Sequence, residues 1–234
     1  MTTTGRPLRK DAERNRRRIL DATRELFAQH GVSVTLNDIA HHAGVGVGTV
    51  YRRFPDKDEL IAGLFEQRID ELAELLDAAL ADPDPWRGLT TYLERSLELG
   101  AEDRGLQQLM LGAAGSFERV ARARERLQPP VTQLIDRARD AGQLRPDVEP
   151  QDVAIVYLML GPVIDLTYEV EPELWRRYLA IVLQGLRAHP EPPEPFPVQA
   201  LAVEQLDAVM VEAYSPQKRG GASGAGTTIR RRAR

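Results

Sequence analysis

Residues 35–57 constrain the fold more than any other stretch, because their pattern predicts two short helices joined by a tight glycine turn. Thr35 precedes an apolar-periodic run and is followed three residues later by Asp38, which is typical of a helix N-cap. Gly44 fits the position after a helix, where a positive φ costs glycine little. Pro55 ends the second helix. The stretch therefore predicts a helical hairpin.

The second helix of this hairpin has a basic outer face. Val50 and Phe54 are four residues apart, so they share the inner face. Tyr51, Arg52 and Arg53 cover much of the remaining surface. A short helix of this kind, held by a partner helix, fits the major groove of DNA. The alternative is a surface hairpin with a solvated arginine pair, since helical hairpins occur in many kinds of protein.

The hairpin and its flanks resemble the DNA-binding domain of the tetracycline-repressor (TetR) family over roughly residues 12–61. The resemblance rests on small, aromatic and basic residues at the family's spacings, namely Phe27, Gly31, Thr35, Ile39, Ala40, Ala43, Gly44, Val45, Gly48, Thr49, Val50, Tyr51, Phe54, Lys57 and Leu60. Gly46 stands where the family usually has a serine, and Arg53 where it usually has a histidine. The resemblance implies a three-helix helix-turn-helix domain that binds double-stranded DNA.

By this resemblance, the residues expected to touch DNA are Thr35, Gly46, Val47, Gly48, Thr49, Tyr51, Arg52, Arg53 and Lys57. Hydroxyl groups and Lys57 are expected to hold phosphates, whereas Val47, Gly48 and the arginines are expected to face base edges. Which arginine reads a base stays open, and Tyr51 has the alternative of packing half-buried on the first helix. Gly46 and Gly48 leave the start of the helix almost without side chains, which favours close approach to a phosphate.

The residues before the hairpin are also basic. Residues 1–10 are predicted to form a flexible arm with Arg6, Arg9 and Lys10, of the kind that reaches into a minor groove. The alternative is a solvated charge run. The helix-turn-helix domain is assigned to residues 11–57.

Charge is divided unevenly along the chain. Residues 1–57 carry a net charge of +5, residues 58–217 a net charge of −15 and residues 218–234 a net charge of +6. An acidic chain with a formal net charge of −4 is therefore still expected to bind DNA through one end.

Composition excludes several classes of protein. The 234 residues contain no cysteine, and the N-terminus lacks the apolar stretch of a secretory signal. The longest apolar run, residues 153–160, is too short to span a bilayer. No phosphate-binding loop with lysine, nucleophile elbow or histidine pair at metal-ligand spacing is present. A cytoplasmic protein without a cofactor or catalytic activity is expected, and an enzyme or purely small-molecule-binding helical protein is disfavoured.

The segment 58–189 is predicted to form a second, larger all-α domain. Apolar residues every three or four positions predict a helix of about 25 residues from Asp58, followed by helices over 86–100, around 106–111 and over 117–141. The pair Pro129–Pro130 is expected to break or kink the last of these. Two closing helices are predicted over 151–168 and 172–189, with a kink at Gly161–Pro162.

The family resemblance implies that these two closing helices pair with their copies to make a homodimer; the alternative is a monomer core. It also implies a cavity for an unknown small-molecule effector in the body. Candidate lining residues are Trp86, Tyr92, Leu109, Met110, Phe117, Leu134, Tyr157, Met159 and Asp165. The alternative is that these residues form ordinary core.

The C-terminal region changes composition after His189. Residues 190–197 predict a Pro-rich linker, residues 198–214 a short amphipathic helix and residues 215–234 a disordered basic tail. The tail either adds nonspecific DNA affinity or is dispensable. The resemblance implies a repressor that binds a palindromic operator as a homodimer and leaves it when the effector binds, with an activator of the same family as the alternative.

Overall fold

The computed structural model describes residues 5–30, 33–102, 116–190 and 194–213, and the regular elements in these ranges are all helices. In chain order they are α1 (Gly5–His30), α2 (Leu36–His42), α3 (Val47–Arg53), α4 (Lys57–Ala81), α5 (Pro85–Glu102), α6 (Ser116–Asp140), α7 (Pro150–Thr167), α8 (Leu174–Leu186) and α9 (Val203–Ala213). One isolated antiparallel bridge joins Leu144 and Arg187. The predicted all-α fold class is confirmed. The short helix expected around 106–111 lies outside the described residues.

The N-terminal head has its own apolar core. Buried side chains from α1, α2 and α3 meet the first turns of α4, and they include Ile19, Leu20, Phe27, Ile39, Val50, Phe54, Leu60, Ile61 and Leu64. The predicted boundary between residues 57 and 58 therefore falls too early, because the first two turns of α4 complete the core of the head. Without Leu60, Ile61 and Leu64, a head this small would leave much apolar surface in water.

The body packs around a second core that takes in the other end of α4. This core includes Leu76 from α4, Leu93 and Leu97 from α5, Leu134 from α6 and Trp175 from α8, all buried. Since α4 has 25 residues, it is about 38 Å long and contributes to both cores. One helix therefore joins the core of the head to the core of the body.

Two sequence predictions about local structure are wrong. Residues 5–10 are the start of α1 rather than an irregular arm, because Leu, Arg and Lys favour helix and Pro7 lies in the first turn, where its missing N–H breaks no bond. Of the break or kink expected at Pro129–Pro130, the break is wrong, because α6 continues from Ser116 to Asp140, and the kink stays a prediction. Burial of Val131, Leu134 and Ile135 in the body core stabilises the helical conformation against the loss of two N–H donors.

The other boundaries follow recognisable signals. Asp56 caps α4 by accepting a hydrogen bond from the amide of Glu59 at 2.8 Å. Gly142, with φ of +65°, follows the end of α6. A capping box of Glu149 and Asp152 begins α7, with Pro150 at its first position. The closing helices end slightly inside the predicted bounds, at Thr167 and Leu186.

The C-terminal segment is bound to the body rather than acting as a free linker where it is described. The Arg145 guanidinium donates to the carbonyl of Glu194 at 2.9 Å and lies 3.9 Å from the ring centroid of Phe196. It also pairs with Asp147 at 2.8 Å. Helix α9, from Val203 to Ala213, is shorter than the predicted range 198–214. The basic tail lies outside the described residues.

Candidate nucleic-acid interface

Helix α2 is fixed at its start by a complete capping box. The Thr35 hydroxyl oxygen accepts from the amide of Asp38 at 3.2 Å, and the Asp38 carboxylate accepts from the Thr35 amide at 2.9 Å. The same carboxylate accepts from the Thr35 hydroxyl at 2.6 Å. These hydrogen bonds, first that from the Thr35 side chain, lower the pKa of Asp38 below its usual value. The prediction that Thr35 is the N-cap of α2 is confirmed. Its hydroxyl donates to the Asp38 carboxylate in this structure.

The turn between α2 and α3 has the geometry predicted for glycine. Gly44 has φ of +61°, which only glycine adopts readily. The amide of Gly44 donates to His41 at 3.1 Å, and the amide of Val45 donates to Ala40 at 3.0 Å. These bonds satisfy the last carbonyls of α2 and reverse the chain, so that α3 starts at a fixed angle to α2.

Helix α3 is held to the head by its inner face. Val50 is fully buried and Phe54 is 4% exposed. The Phe54 ring lies against Gly63 of α4, where an added Cβ would stand 2.7 Å from the ring edge. Glycine at position 63 thus allows α3 and α4 to approach closely. The sequence alone did not predict this contact, because a single glycine on the apolar face of a helix does not indicate which residue packs against it.

The outer face of α3 carries the predicted DNA-contacting side chains. Val47 is 45% exposed and Tyr51 is 46% exposed, and Arg52 and Arg53 are also exposed. Thr49 is half-buried beside them. The helix therefore presents an apolar contact, an aromatic hydroxyl and two guanidinium groups together, within the segment 1–57 that carries a net charge of +5.

The two glycines at the start of α3 are not required by internal packing. A Cβ at Gly48 would meet nothing within 4 Å, and one at Gly46 would lie 3.7 Å from the Thr49 hydroxyl, an ordinary contact. Gly46 has φ of −64°, which any residue adopts. The absence of side chains here leaves the backbone of α3 open to close approach from outside.

Lys57 is half-buried and engaged within the protein. Its ammonium donates to the carbonyl of Val34 at 3.0 Å and lies 5.6 Å from the ring centroid of Phe27. It thereby ties the start of α4 to the segment before α2. Its contact with a DNA phosphate stays a prediction.

The candidate effector residues do not all lie together. Tyr92 and Leu134 are buried within the body core, and Trp86 and Tyr157 pack against that same core. Burial raises the pKa of Tyr92 well above its usual value, so its hydroxyl is neutral at pH 7. Met159, by contrast, is 50% exposed.

The remaining candidates have separate positions. The Tyr157 hydroxyl donates to the carbonyl of Ser96, and Trp86 lies at the end of the body beside Arg187, whose guanidinium is 5.1 Å from the ring centroid. Asp165 is half-buried on α7. Leu109, Met110 and the side chain of Phe117 lie outside the described part of the chain. The residues predicted for a cavity thus divide into core, end and surface positions.

Helices α7 and α8 carry an unusual amount of exposed apolar surface. The large exposed side chains on these helices and the segment between them are Met159, Leu166, Tyr168, Val170, Tyr178 and Ile181. Leu166 and Val170 are more than four-fifths exposed, at 82% and 87%. Large exposed apolar patches are typical of protein interfaces.

Two further findings concern metal ions and membranes. Among the residues that the structure describes, no three His, Asp or Glu side chains are arranged to hold a metal ion. None of the described helices combines the length and apolar character that crossing a bilayer requires.

Comparison with family models matches both parts of the chain. Residues 19–64 match the model of bacterial regulatory proteins of the tetR family, close to the predicted 12–61. Residues 84–188 match the C-terminal domain of SbtR-like transcriptional regulators. An HTH-type transcriptional regulator of Staphylococcus aureus is 41% identical over 64 residues, which is 27% of this chain and 35% of that relative. The alignment thus spans about a third of this curated relative.

Solved structures match over most of the chain. A TetR transcription regulatory protein from Mycobacterium vanbaalenii is 30% identical, with a TM-score of 0.62, over 78% of this chain and 100% of that chain. SmeT, the repressor of the Stenotrophomonas maltophilia multidrug efflux pump SmeDEF, is 28% identical, with a TM-score of 0.55, over 78% and 97%. A second SmeT structure is a complex with triclosan, and it is 26% identical, with a TM-score of 0.52, over 80% and 98%.

The residues matched by the first family model, 19–64, include the helical hairpin, the glycine turn and α3. The relatives are regulators of transcription rather than enzymes. The chain belongs to the TetR family of DNA-binding transcriptional regulators.

Proposed function

We propose that the protein is a homodimeric repressor that binds a palindromic operator through α3 and leaves it when a small molecule binds the body. The observation that carries the DNA-binding part is the outer face of α3, where Tyr51, Arg52 and Arg53 are exposed beside a helix start without side chains. Arginine is the side chain best suited to guanine in the major groove. Tyr51 and Thr49 would hold flanking phosphates and so fix the register.

The dimer proposal is supported by the exposed apolar surface of α7 and α8. Ile181 is 55% exposed and Tyr178 is 43% exposed on α8, while Met159 and Leu166 are exposed on α7. Burying these side chains against a second copy would stabilise a dimer by about 25 cal/mol for each Å² of apolar surface removed from water. A two-fold dimer places two heads on one face, which suits half-sites about one DNA turn apart.

The effector proposal is supported by the position of α4 in both cores. A small molecule that fits one arrangement of the body better than another shifts the population toward that arrangement. Because α4 continues from the body core at Leu76 to the head core at Leu60, such a shift changes the spacing of the two heads. SmeT is described as a repressor and has been crystallised with triclosan, which supports a similar mode for this chain. The protein would act in the cytoplasm, where bacterial DNA lies.

The experiment is operator selection from a library of random duplexes, followed by footprinting of the selected sequence at several salt concentrations. We expect a footprint with two inverted half-sites whose centres lie about 10 base pairs apart, or a multiple of that spacing, bound by an even number of chains. A single asymmetric half-site bound by one chain would contradict the dimer proposal. Failure to enrich any sequence would contradict specific readout by α3.

The effector part is tested on the selected duplex with a panel of apolar small molecules that begins with triclosan. Release of the duplex by one compound, with unchanged binding in its absence, is the expected result. A compound that binds the body tightly and leaves the operator affinity unchanged would contradict release by population shift.

A further inference from the structure

Three consecutive arginines on α1, Arg16–Arg18, have described side chains, and Arg18 is the one for which the structure shows a contact with the turn between α2 and α3. Its guanidinium Nη2 donates to the carbonyl of Ala43 at 2.7 Å, and the carbonyl of Gly44 lies 3.5 Å away. Ala43 is the C-cap of α2. Arg16 and Arg17 stand next to it in the sequence.

The geometry points to Arg18 as a positioning residue: we propose that it sets the orientation of α3 by holding the turn between α2 and α3 to α1, and that it acts through this contact rather than through a DNA phosphate. The effect would be discrimination between operator and random DNA.

The α1 end of the contact between Arg18 and the turn is held rigidly. The next two residues, Ile19 and Leu20, are fully buried in the core of the head, so the backbone of Arg18 has little freedom. A positive charge at the C-terminal end of α2 is also favourable, because the exposed carbonyls there carry partial negative charge. The guanidinium therefore joins a rigid part of α1 to the end of α2.

The contact is equally constrained at the turn. Gly44 has φ of +61°, and a Cβ added there would stand 3.1 Å from the Arg18 Nη2 atom. The arginine thus lies directly over the residue at which the chain reverses. Three residues later α3 begins at Val47, and there is no intervening flexible segment to absorb a movement of the turn. Loss of the contact would allow α3 to tilt about its buried residues Val50 and Phe54.

A tilt of α3 affects two kinds of DNA contact differently. Hydrogen bonds to base edges need a side chain within a few tenths of an ångström, so they weaken when α3 changes its angle. Ionic contacts with phosphates tolerate such movement and depend mainly on the number of charges neutralised. A positioning residue therefore changes the ratio of operator to random affinity, whereas a phosphate contact changes both affinities and the salt dependence.

The test compares Arg18→Ala with Arg17→Ala, a neighbouring exposed arginine whose loss changes the net charge by the same amount. Each variant and the unchanged protein bind two labelled duplexes of equal length in rising salt. One duplex is the sequence that the unchanged protein selects from a random library, and the other has random sequence. We expect Arg18→Ala to weaken binding to the selected duplex by about tenfold, the cost of one or two base contacts, with little change on random DNA.

The salt slope decides between the two roles. A phosphate contact at position 18 would lower the slope of log K against log salt by about one and weaken both duplexes alike. That result, or an unchanged ratio of the two affinities in Arg18→Ala, would overturn the proposal. The unchanged protein is measured on both duplexes. If it does not prefer the selected duplex, the proposed DNA-binding function fails, and this result is distinct from a failure of the Arg18 proposal.

A second measurement covers a variant that folds poorly. Hydrogen exchange in Arg18→Ala should accelerate in residues 43–50 and stay slow in the buried part of α1. If the whole head exchanges fast in Arg18→Ala, the test uses Arg18→Lys instead, since lysine keeps the charge but lacks the planar guanidinium group. The lysine variant should also lose preference for the selected duplex at an unchanged salt slope. Retention of full preference with unchanged exchange in residues 43–50 would overturn the proposal.

Discussion

At the scale of single residues, the glycines at the start of α3 separate stability from function. Glycine inside a helix is less favourable than alanine by about 1 kcal/mol. At Gly48 no neighbouring atom lies within 4 Å of an added Cβ, so packing within the head gives no reason for this loss of stability. Close approach of DNA to the backbone of α3 does give a reason.

We therefore predict opposite effects of Gly48→Ala on folding and on binding. The free energy of unfolding should stay the same or rise by up to about 1 kcal/mol, because the methyl group fits and alanine favours helix. Affinity for the selected operator should fall by about tenfold, since the methyl group holds the helix away from the groove. Thermal denaturation and titration of labelled duplex measure the two quantities. Gly100→Ala in α5, where an added Cβ would lie 3.7 Å from the Tyr157 hydroxyl in ordinary contact, should leave operator affinity unchanged.

The capping box of α2 gives a prediction about pH. Hydrogen bonds from Thr35 lower the pKa of Asp38 in the folded protein, so the unfolded chain takes up its proton first as the pH falls. The stabilisation is fully present above the ordinary value of 3.8 and is lost as the pH falls through the lowered folded value.

The comparison is between the unchanged protein and Asp38→Asn, with thermal denaturation followed from pH 6 to pH 3. The difference in Tm should be constant at the upper end and should shrink below about pH 4. A difference that stays constant to the lowest pH would show that the carboxylate charge does not contribute to the cap.

Residue types with a local partner were predictable, and those with a distant partner were not. Thr35 and Asp38 were identified from their spacing of three residues, which is typical of a capping box. Gly44 was identified because the turn after α2 needs a residue with positive φ. The partner of Arg18 is a backbone carbonyl 25 residues away. Because every residue has a backbone carbonyl, no pattern of side chains in the sequence predicts this contact.

At the scale of elements, α4 is the part of the fold that connects the two cores. Its first turns belong to the head, and its last turns are fixed in the body. The Arg137 guanidinium of α6 donates to the carbonyl of Asp82 at 2.8 Å and also to the carbonyl of Leu80. Gly88 of α5 lies against the carbonyl of Ala79. The end of α4 distant from the head is therefore a fixed point.

This fixed point predicts that Gly88→Ala destabilises the body. An added Cβ would overlap the backbone oxygen of Ala79, and a backbone atom moves less easily than the tip of a side chain. Overpacking of this kind costs about 1–3 kcal/mol. Chemical denaturation should show this loss, whereas Gly100→Ala on the same helix, where an added Cβ makes only ordinary contacts, should be neutral or stabilising. Equal stability of the two variants would contradict the close contact between α5 and α4.

Element predictions succeeded where apolar periodicity was strong and failed where packing overrode local preference. The periodicity from Asp58 onward predicted α4 almost to the residue. Pro129–Pro130 predicted a break or a kink in α6, and the helix has no break because the positions that follow are buried in the body core. The boundary at residue 57 failed because a single helix serves two cores, and periodicity does not report which core a residue joins.

At the scale of the whole molecule, we propose that the exposed surface of α7 and α8 forms the dimer interface. Ile181 is 55% exposed, and a carboxylate at its position would be buried against apolar side chains in a dimer. In a monomer the same carboxylate would stay in water at little cost. In the proposed dimer, the oligomeric state is therefore sensitive to this single position.

We predict that Ile181→Glu converts a dimer into a folded monomer with weaker operator binding. Light scattering after size-exclusion chromatography measures the mass, and circular dichroism confirms the helical content. Val198→Glu is the matched control, because Val198 is 76% exposed and lies outside α7 and α8. A monomeric starting protein, or a dimer that survives Ile181→Glu, would contradict the proposed interface.

The central claim is that the outer face of α3 reads DNA sequence, and the most direct test is binding to the selected operator in the presence of excess random competitor. The unchanged protein should keep its binding, and so should Arg95→Ala, which removes an exposed arginine from the body. Tyr51→Ala and Arg53→Ala should lose it while remaining folded. The account would be contradicted if random competitor displaced the operator from the unchanged protein. It would also be contradicted if both α3 variants kept their full operator binding.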